Sequence, residues 1–446
     1  MIYLNQAATS WPKPESVLAA YEQSVRALPS SQFRSSAGLQ TAVRSAAAGD
    51  STLIGNGGAV MNDDVIGETR QVLGQLVGIR DTGRIFFSSG ATDSANAIVY
   101  GLPFDSLAVF ATETEHNSVL RPLLNLVEPV CGPQNGDVRI IPCDETGYVA
   151  PEAAARALEG ICKPAAVFVN HMSNVTGRIQ DIAAIARVVH QKDAILIVDA
   201  AQSAGCIPIC VDEWGIDALI LTGHKSLYGM QGTGAYYVRD GIPFRPYRYG
   251  GTGRDSRKLY YSDKPPFDYE YEVGTQNGPG IAALGAGARY CLERGVDAIA
   301  AHERGLMSAC SRALREIPGV TVYGHGDSSA DSLGQNAYGP VLSFNIDGMK
   351  AGDVAYILQN AYGIVVRAGL QCAPLIHQEM GTYENGTVRV SVSDMNTMAE
   401  IEELVRAVRE IAGSVGAAAG PAADAANDAT DDAANTADLH VKGGRL

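Results

Sequence analysis

Short runs of apolar residues recur through the middle of the chain, and each stops at a polar or glycine-rich turn. "RIFFSS" is followed by "AAVFVNHMSN", "AILIVDAAQS", "IDALILTGHKS" and "GAYYVR". Runs this short, rich in β-branched and aromatic residues, predict buried strands. Between the second and third lies "QDIAAIARVVHQ", where Ile182, Ile185, Ala186 and Val189 share one helical face. Apolar strands separated by single helices predict right-handed crossovers and a mostly parallel sheet covered on both faces. Further on the period changes. "GTVRVSVS" alternates Val388, Val390 and Val392 and predicts a half-buried strand. "TMAEIEELVRAVREIA" opens with Thr397 and Glu400 as a capping box and carries Ile401, Leu404, Val405 and Val408 on one face. The expected architecture is α/β, with a large domain over 16–285 and a smaller α+β domain formed by 1–15 with 286–412. Residues 413–446, mostly Ala, Gly and Asp, lack the apolar groups of a core and are expected to be a disordered tail. The Gly- and Ala-rich stretch 42–62 has no period and is expected to be a mobile loop.

A chain of 446 residues exceeds one ordinary core, in keeping with more than one domain. Its formal net charge of −15, with no long basic cluster, argues against nucleic acid as a partner. The apolar runs are far shorter than the ~18 residues of a membrane span. "MIYLNQAATSWP" lacks a basic region followed by an apolar core, so the cytoplasm is the expected location. None of the eight cysteines forms C-x-x-C, which disfavours zinc ribbons and thioredoxin-like sites. Cys206 and Cys210 in "CIPIC" have no second Cys/His pair close by in sequence, so no metal site is expected there.

In parallel sheets, ligands collect at the carboxyl ends of the strands. Each candidate group lies just after an apolar run. "GATDSAN" places Gly90, Ala91, Thr92 and Asp93 at a helix start, where free amides suit a phosphate; an ordinary capped helix is the alternative. His116 follows "LAVFAT", and Asn174 closes "VNHMSN". Asp199 ends a buried strand, where a carboxylate needs a cationic partner or else caps the next helix; Gln202 lies within reach of the same ligand. Lys225 follows another strand among glycines, and desolvation there would favour the neutral amine that condenses with an aldehyde. A P-loop does not fit, because His224 stands where its glycine belongs. Phosphate, ring cation and aldehyde occur together in pyridoxal phosphate. Its phosphate would sit at Thr92 with Thr222 and His224, its ring nitrogen at Asp199 and its aldehyde on Lys225, with His116 stacked on the ring.

In order, "GAT…EHN…SNVTG…DAAQS…GHKSLYG…GTQN…RAGLQCAP…VRVS" resembles the class V aminotransferase superfamily over roughly residues 1–412. Within it, the chain is similar to cysteine desulfurases and selenocysteine lyases with a short catalytic-cysteine loop. The resemblance implies the type I fold of pyridoxal phosphate-dependent transferases, a covalent link to Lys225, a ring contact from Gln202, and substrate carboxylate binding by Asn174 and Arg389. It implies that Thr275 reaches the phosphate of a neighbouring subunit, hence a homodimer. It makes Cys372 the thiolate that takes sulfur from L-cysteine for a protein acceptor, with L-selenocysteine as the other substrate the family uses; Arg367 is a candidate cation beside that thiol or a substrate-binding residue. One departure stands out: the family commonly has histidines in the two places before this cysteine, and here they are Leu370 and Gln371. The competing expectations are another enzyme of the same superfamily (selenocysteine lyase, cysteine lyase or aminotransferase) and a non-enzymatic partner protein built on the fold.

Overall fold

The computed structural model describes residues 1–27, 65–103, 107–131, 138–162, 164–251, 271–326, 334 and 337–418. The stretch 42–62 and residues 419–446 lie outside them. In chain order the described elements begin with β1 (Ile2–Tyr3), α1 (Glu15–Arg26), α2 (Val65–Val77), β2 (Ile85–Ser88), α3 (Ala91–Gly101), β3 (Ala108–Thr112) and α4 (Asn117–Cys131). They continue with β4 (Arg139–Ile141), α5 (Pro151–Ala157), β5 (Ala165–Asn170), α6 (Ile182–His190), β6 (Ile195–Asp199), α7 (Val211–Trp214), β7 (Ala218–Thr222) and β8 (Gly234–Val238). Then come α8 (Gly278–Arg294), α9 (Val296–Arg315), β9 (Val320–Tyr323), β10 (Val341–Ile346), α10 (Ala351–Tyr362), β11 (Ile364–Val365), β12 (Arg367–Gly369), α11 (Pro374–Glu379), β13 (Thr387–Ser391) and α12 (Met398–Ala418).

Seven strands form the large sheet in the order β2-β8-β7-β6-β5-β3-β4. Only β8 runs against the others, pairing antiparallel with both β7 and β2. The reason is the connection: no helix separates β7 from β8, so the chain returns directly alongside. Alternate residues of the central strands feed two different cores. Val167, Val169, Leu196 and Val198 pack into one, while Ala166, Phe168 and Ile197 pack into the other. A sheet covered on both faces requires such continuous apolar runs, as expected. Helix α6 buries Ile182, Ile185, Ala186 and Val189, and its cap Asp181 accepts from Ala184 N at 2.9 Å.

A four-stranded antiparallel sheet, β12-β13-β10-β9, holds a second core with Leu342, Phe344, Val388, Val390, Leu404 and Val408. Strand β13 departs from the half-buried expectation: all five of its residues are buried, Arg389 and Ser391 included. Its polar face is covered by the N-terminal segment, where Ala7 N donates to Ser391 Oγ at 2.9 Å, instead of by water. That segment begins in β1, paired in parallel with β11. Helix α12 starts with Thr397 N donating to Glu400 Oε2 at 2.8 Å and runs past 412 to Ala418. No helix among the described residues is long and apolar enough to cross a membrane.

Candidate active site

The carboxyl ends of β5, β6 and β7 open onto a cavity of ≈ 430 Å³. Lys225 enters it from the β7–β8 connection. Around Lys225 the backbone is packed against glycines: a methyl group added at Gly205 would overlap Ser226 O, and one at Gly287 would overlap Leu227 O. From the other side, Ser10 N, Thr9 Oγ1, Ser10 Oγ and Lys13 Nζ converge on His224 O at 2.9, 3.1, 3.1 and 3.1 Å. The lysine is thus held by its neighbours in sequence, not by its own side chain. Burial lowers its pKa to about 8, with Asp199 opposing and Arg389 reinforcing the shift.

Asp199 ends β6 in register with Asn170 on β5. Its Oδ1 accepts from Ala201 N at 2.9 Å, and burial raises its pKa against the pull of Lys225. A ring cation is the partner this carboxylate suits. His116 accepts from Ser118 N on Nδ1 at 3.0 Å, and burial, then Lys225 and Arg389, hold its pKa down to about 3. It is a neutral imidazole with a face to offer. Gln202 Nε2 donates to Ala7 O at 3.1 Å, so the N-terminal segment orients its amide.

Whether pyridoxal phosphate fits can be judged from what is left unpaired. Thr222 Oγ1 and His224 Nδ1 are buried without a hydrogen-bond partner. They lie on the same cavity as Ala91 and Thr92, which start α3 after Gly90 at φ 142. That helix has no side-chain cap, so its first amides are open to an anion. The helix start at Ala91 and Thr92, the carboxylate of Asp199 and the amine of Lys225 line one cavity, and the residues fit the cofactor.

Arg389 on β13 donates from Nη1 to Asn174 O at 3.1 Å and from Nη2 to Asn5 Oδ1 at 3.2 Å, while its buried Nε has no partner. Burial, then the guanidinium of Arg367 beside it in register on β12, lowers its pKa to about 10. Two guanidiniums at one end of the cavity suit a carboxylate. Asn174 donates from Nδ2 to Gln371 O at 2.7 Å and leaves Oδ1 unpartnered. It therefore ties down the loop that carries Cys372. That cysteine is exposed and lines the same cavity as Lys225. Its carbonyl accepts from Asn117 N at 2.7 Å. Thr275 is exposed before α8 and, unlike the other candidate cofactor- and substrate-binding residues, does not line the cavity. Asn170, with its Oδ1 buried and unpartnered, was not singled out although it too ends a buried strand. The first thirteen residues gave no periodic signal at all.

The family described as Aminotransferase class-V matches residues 57–404, and the chain belongs to it. More particularly, the chain is similar over most of its length to proteins described as cysteine desulfurases or probable cysteine desulfurases. A probable cysteine desulfurase of Methanothermobacter thermautotrophicus is 34% identical over 336 residues, spanning 74% of this chain and 79% of that protein. One of Halalkalibacterium halodurans is 29% identical over 416 residues, spanning 92% and 93%. The apo structure of a cysteine desulfurase from Thermococcus onnurineus superposes with a TM-score of 0.76 at 27% identity, covering 93% of this chain and 95% of the other. The chain is a pyridoxal phosphate-dependent enzyme of class V, and the fold and cofactor expected from its motifs are those of its family.

Proposed function

We propose that this enzyme is a cysteine desulfurase that converts L-cysteine to L-alanine and holds the sulfur as a persulfide on Cys372. The observation that carries the reading is the exposed Cys372 facing Lys225, Asp199 and Arg389 across one cavity. When bound, pyridoxal phosphate withdraws electrons from the substrate's α-carbon. Lys225 would hold the cofactor's aldehyde and would move the proton at the substrate's Cα. Asp199 would keep the ring nitrogen charged, and Gln202 and His116 would fix the ring's position. Thr92, the Ala91 amide, Thr222 and His224 hold the phosphate. Arg389, with Arg367, binds the substrate carboxylate; Asn174 serves it by positioning the cysteine loop. The Cys372 thiolate attacks the substrate sulfur: the C–S bond breaks, an S–S bond forms, and the carbon left behind is protonated to give alanine.

The wider reading includes a homodimer in which Thr275 serves the partner's phosphate site, a protein that accepts the sulfur, and a cytoplasmic location. It also takes the large-sheet region and the small-sheet region as two domains. With L-cysteine, the wild type should release alanine and show one added sulfur atom on the Cys372 peptide by mass spectrometry. Cys372→Ser should keep the yellow cofactor absorption and lose alanine release by at least about a hundredfold. Equal turnover by Cys372→Ser would reject the desulfurase reading.

A further inference from the structure

Two consecutive residues of the cysteine loop, Gln371 (φ 45) and Cys372 (φ 58), adopt left-handed backbone. Neither is Gly or Asn, and such a pair persists only where its surroundings over-determine it. The surroundings are visible. Gln371 Nε2 donates to Thr387 O at 2.9 Å, and a carbonyl can only accept, so the amide's orientation is settled. Gln371 Oε1 then faces His377 Nε2 at 2.8 Å, which assigns the imidazole proton to Nε2. The other nitrogen, Nδ1, is left to accept from Thr382 Oγ1 at 2.7 Å. His377 itself, on α11, is fully buried. Both its nitrogens are engaged away from the thiol, so it is no acid or base for Cys372.

We propose that His377 is a positioning residue for Cys372: acting through the Gln371 side chain, it locks the left-handed turn that turns the thiol toward the Lys225 cavity. The proposal rests on the desulfurase reading above and adds to it a residue that lies outside the cavity. The two ends of the turn are fixed as well, by Asn174 Nδ2 to Gln371 O at 2.7 Å and Asn117 N to Cys372 O at 2.7 Å. These bonds hold the backbone; the Gln371 side chain is held by Thr387 of β13, through its carbonyl and a longer hydroxyl contact at 3.4 Å, and by the imidazole, which makes the shorter bond to Oε1. Burial keeps the His377 pKa down at about 4, so the ring stays neutral and the clamp intact across the neutral pH range.

The test uses the cofactor-loaded enzyme with L-cysteine. His377→Leu, which removes both ring nitrogens, should lower kcat for alanine release on the order of tenfold to a hundredfold, with KM and the cofactor's visible absorption unchanged. His377→Gln, whose amide can donate to Gln371, should recover most of the rate. Gln371→Ala, which also removes the bonds to Thr387, should lose at least as much as His377→Leu, and the double variant should be no slower than Gln371→Ala, because the imidazole acts only through that side chain. Amide exchange at Asn117 and Ala373 should quicken in His377→Leu and remain slow in His377→Gln. Wild-type kcat and wild-type exchange in His377→Leu would overturn the proposal, as would additive losses in the double variant or an equal loss of cofactor absorption. If the wild type releases no alanine, the desulfurase reading falls, while exchange at Asn117 still decides whether His377 holds the loop.

Discussion

Lys225 is charged at neutral pH in a place that disfavours charge. Free of cofactor, the folded protein holds its ammonium with a pKa of about 8 against 10.5 for the ordinary side chain. Below pH 8 both folded and unfolded chains are protonated, and the folded state bears the whole penalty. Between 8 and 10.5 the folded state sheds the proton first, so stability gains with rising pH. Lys225→Met should therefore stabilise the cofactor-free protein at pH 7 by roughly 1–3 kcal/mol, with the gain closing by pH 10.5. Urea unfolding at the two pH values measures it, and a constant difference would contradict the desolvated amine. The same substitution should abolish turnover. At this scale the sequence was readable where a polar residue ends a buried run, as with Asp199, Thr222 and Lys225. It was silent on Asn5, Ser10 and Lys13, whose roles come from contacts with residues some two hundred or more positions away. His377 was hidden for a like reason: a six-residue helix shows no period that marks which side is buried.

The β7–β8 connection and helix α8 form one unit because α8 is built around small residues. Gly287→Ala would drive a methyl group into Leu227 O and shift the stretch bearing Lys225, costing about 1–3 kcal/mol and weakening cofactor retention. Gly305→Ala on α9 meets open space and should raise stability by about 0.5–1 kcal/mol. The pair of thermal midpoints separates close packing from helix propensity: equal shifts in one direction would refute the clash. Elements of strong period were legible, from α6 and α12 to β5, β6 and β7. The antiparallel course of β8 was not, since an apolar run carries no direction. The burial of Arg389 in β13 was not legible either. Alternation marks a polar face, and only the fold decides whether that face meets water or another part of the chain.

Across the molecule, Glu303 on α9 is buried with Oε2 unpartnered, and burial, then Asp394, raises its pKa well above 4.5. The unfolded chain gives up this proton near 4.5 while the folded one keeps it, so the group's contribution is intact at acid pH and declines as pH rises past 4.5. Glu303→Gln should therefore be more stable than wild type at pH 7, with the difference fading toward pH 4.5. Urea midpoints across that range check it, and a gap that widens on acidification would be the wrong sign. The N-terminal segment has a different kind of consequence. Residues 2–13 leave the ribosome long before their partners His224, Ile364 and Ser391. At ordinary elongation rates the delay to Ser391 is roughly 20–75 s. Throughout that interval the seat of Lys225 lacks one wall, and the guanidinium of Arg389 has yet to be made. A nascent chain arrested before Ser391 should stay colourless in the presence of the vitamin cofactor, so that reactive aldehyde chemistry begins only once β13 has been made.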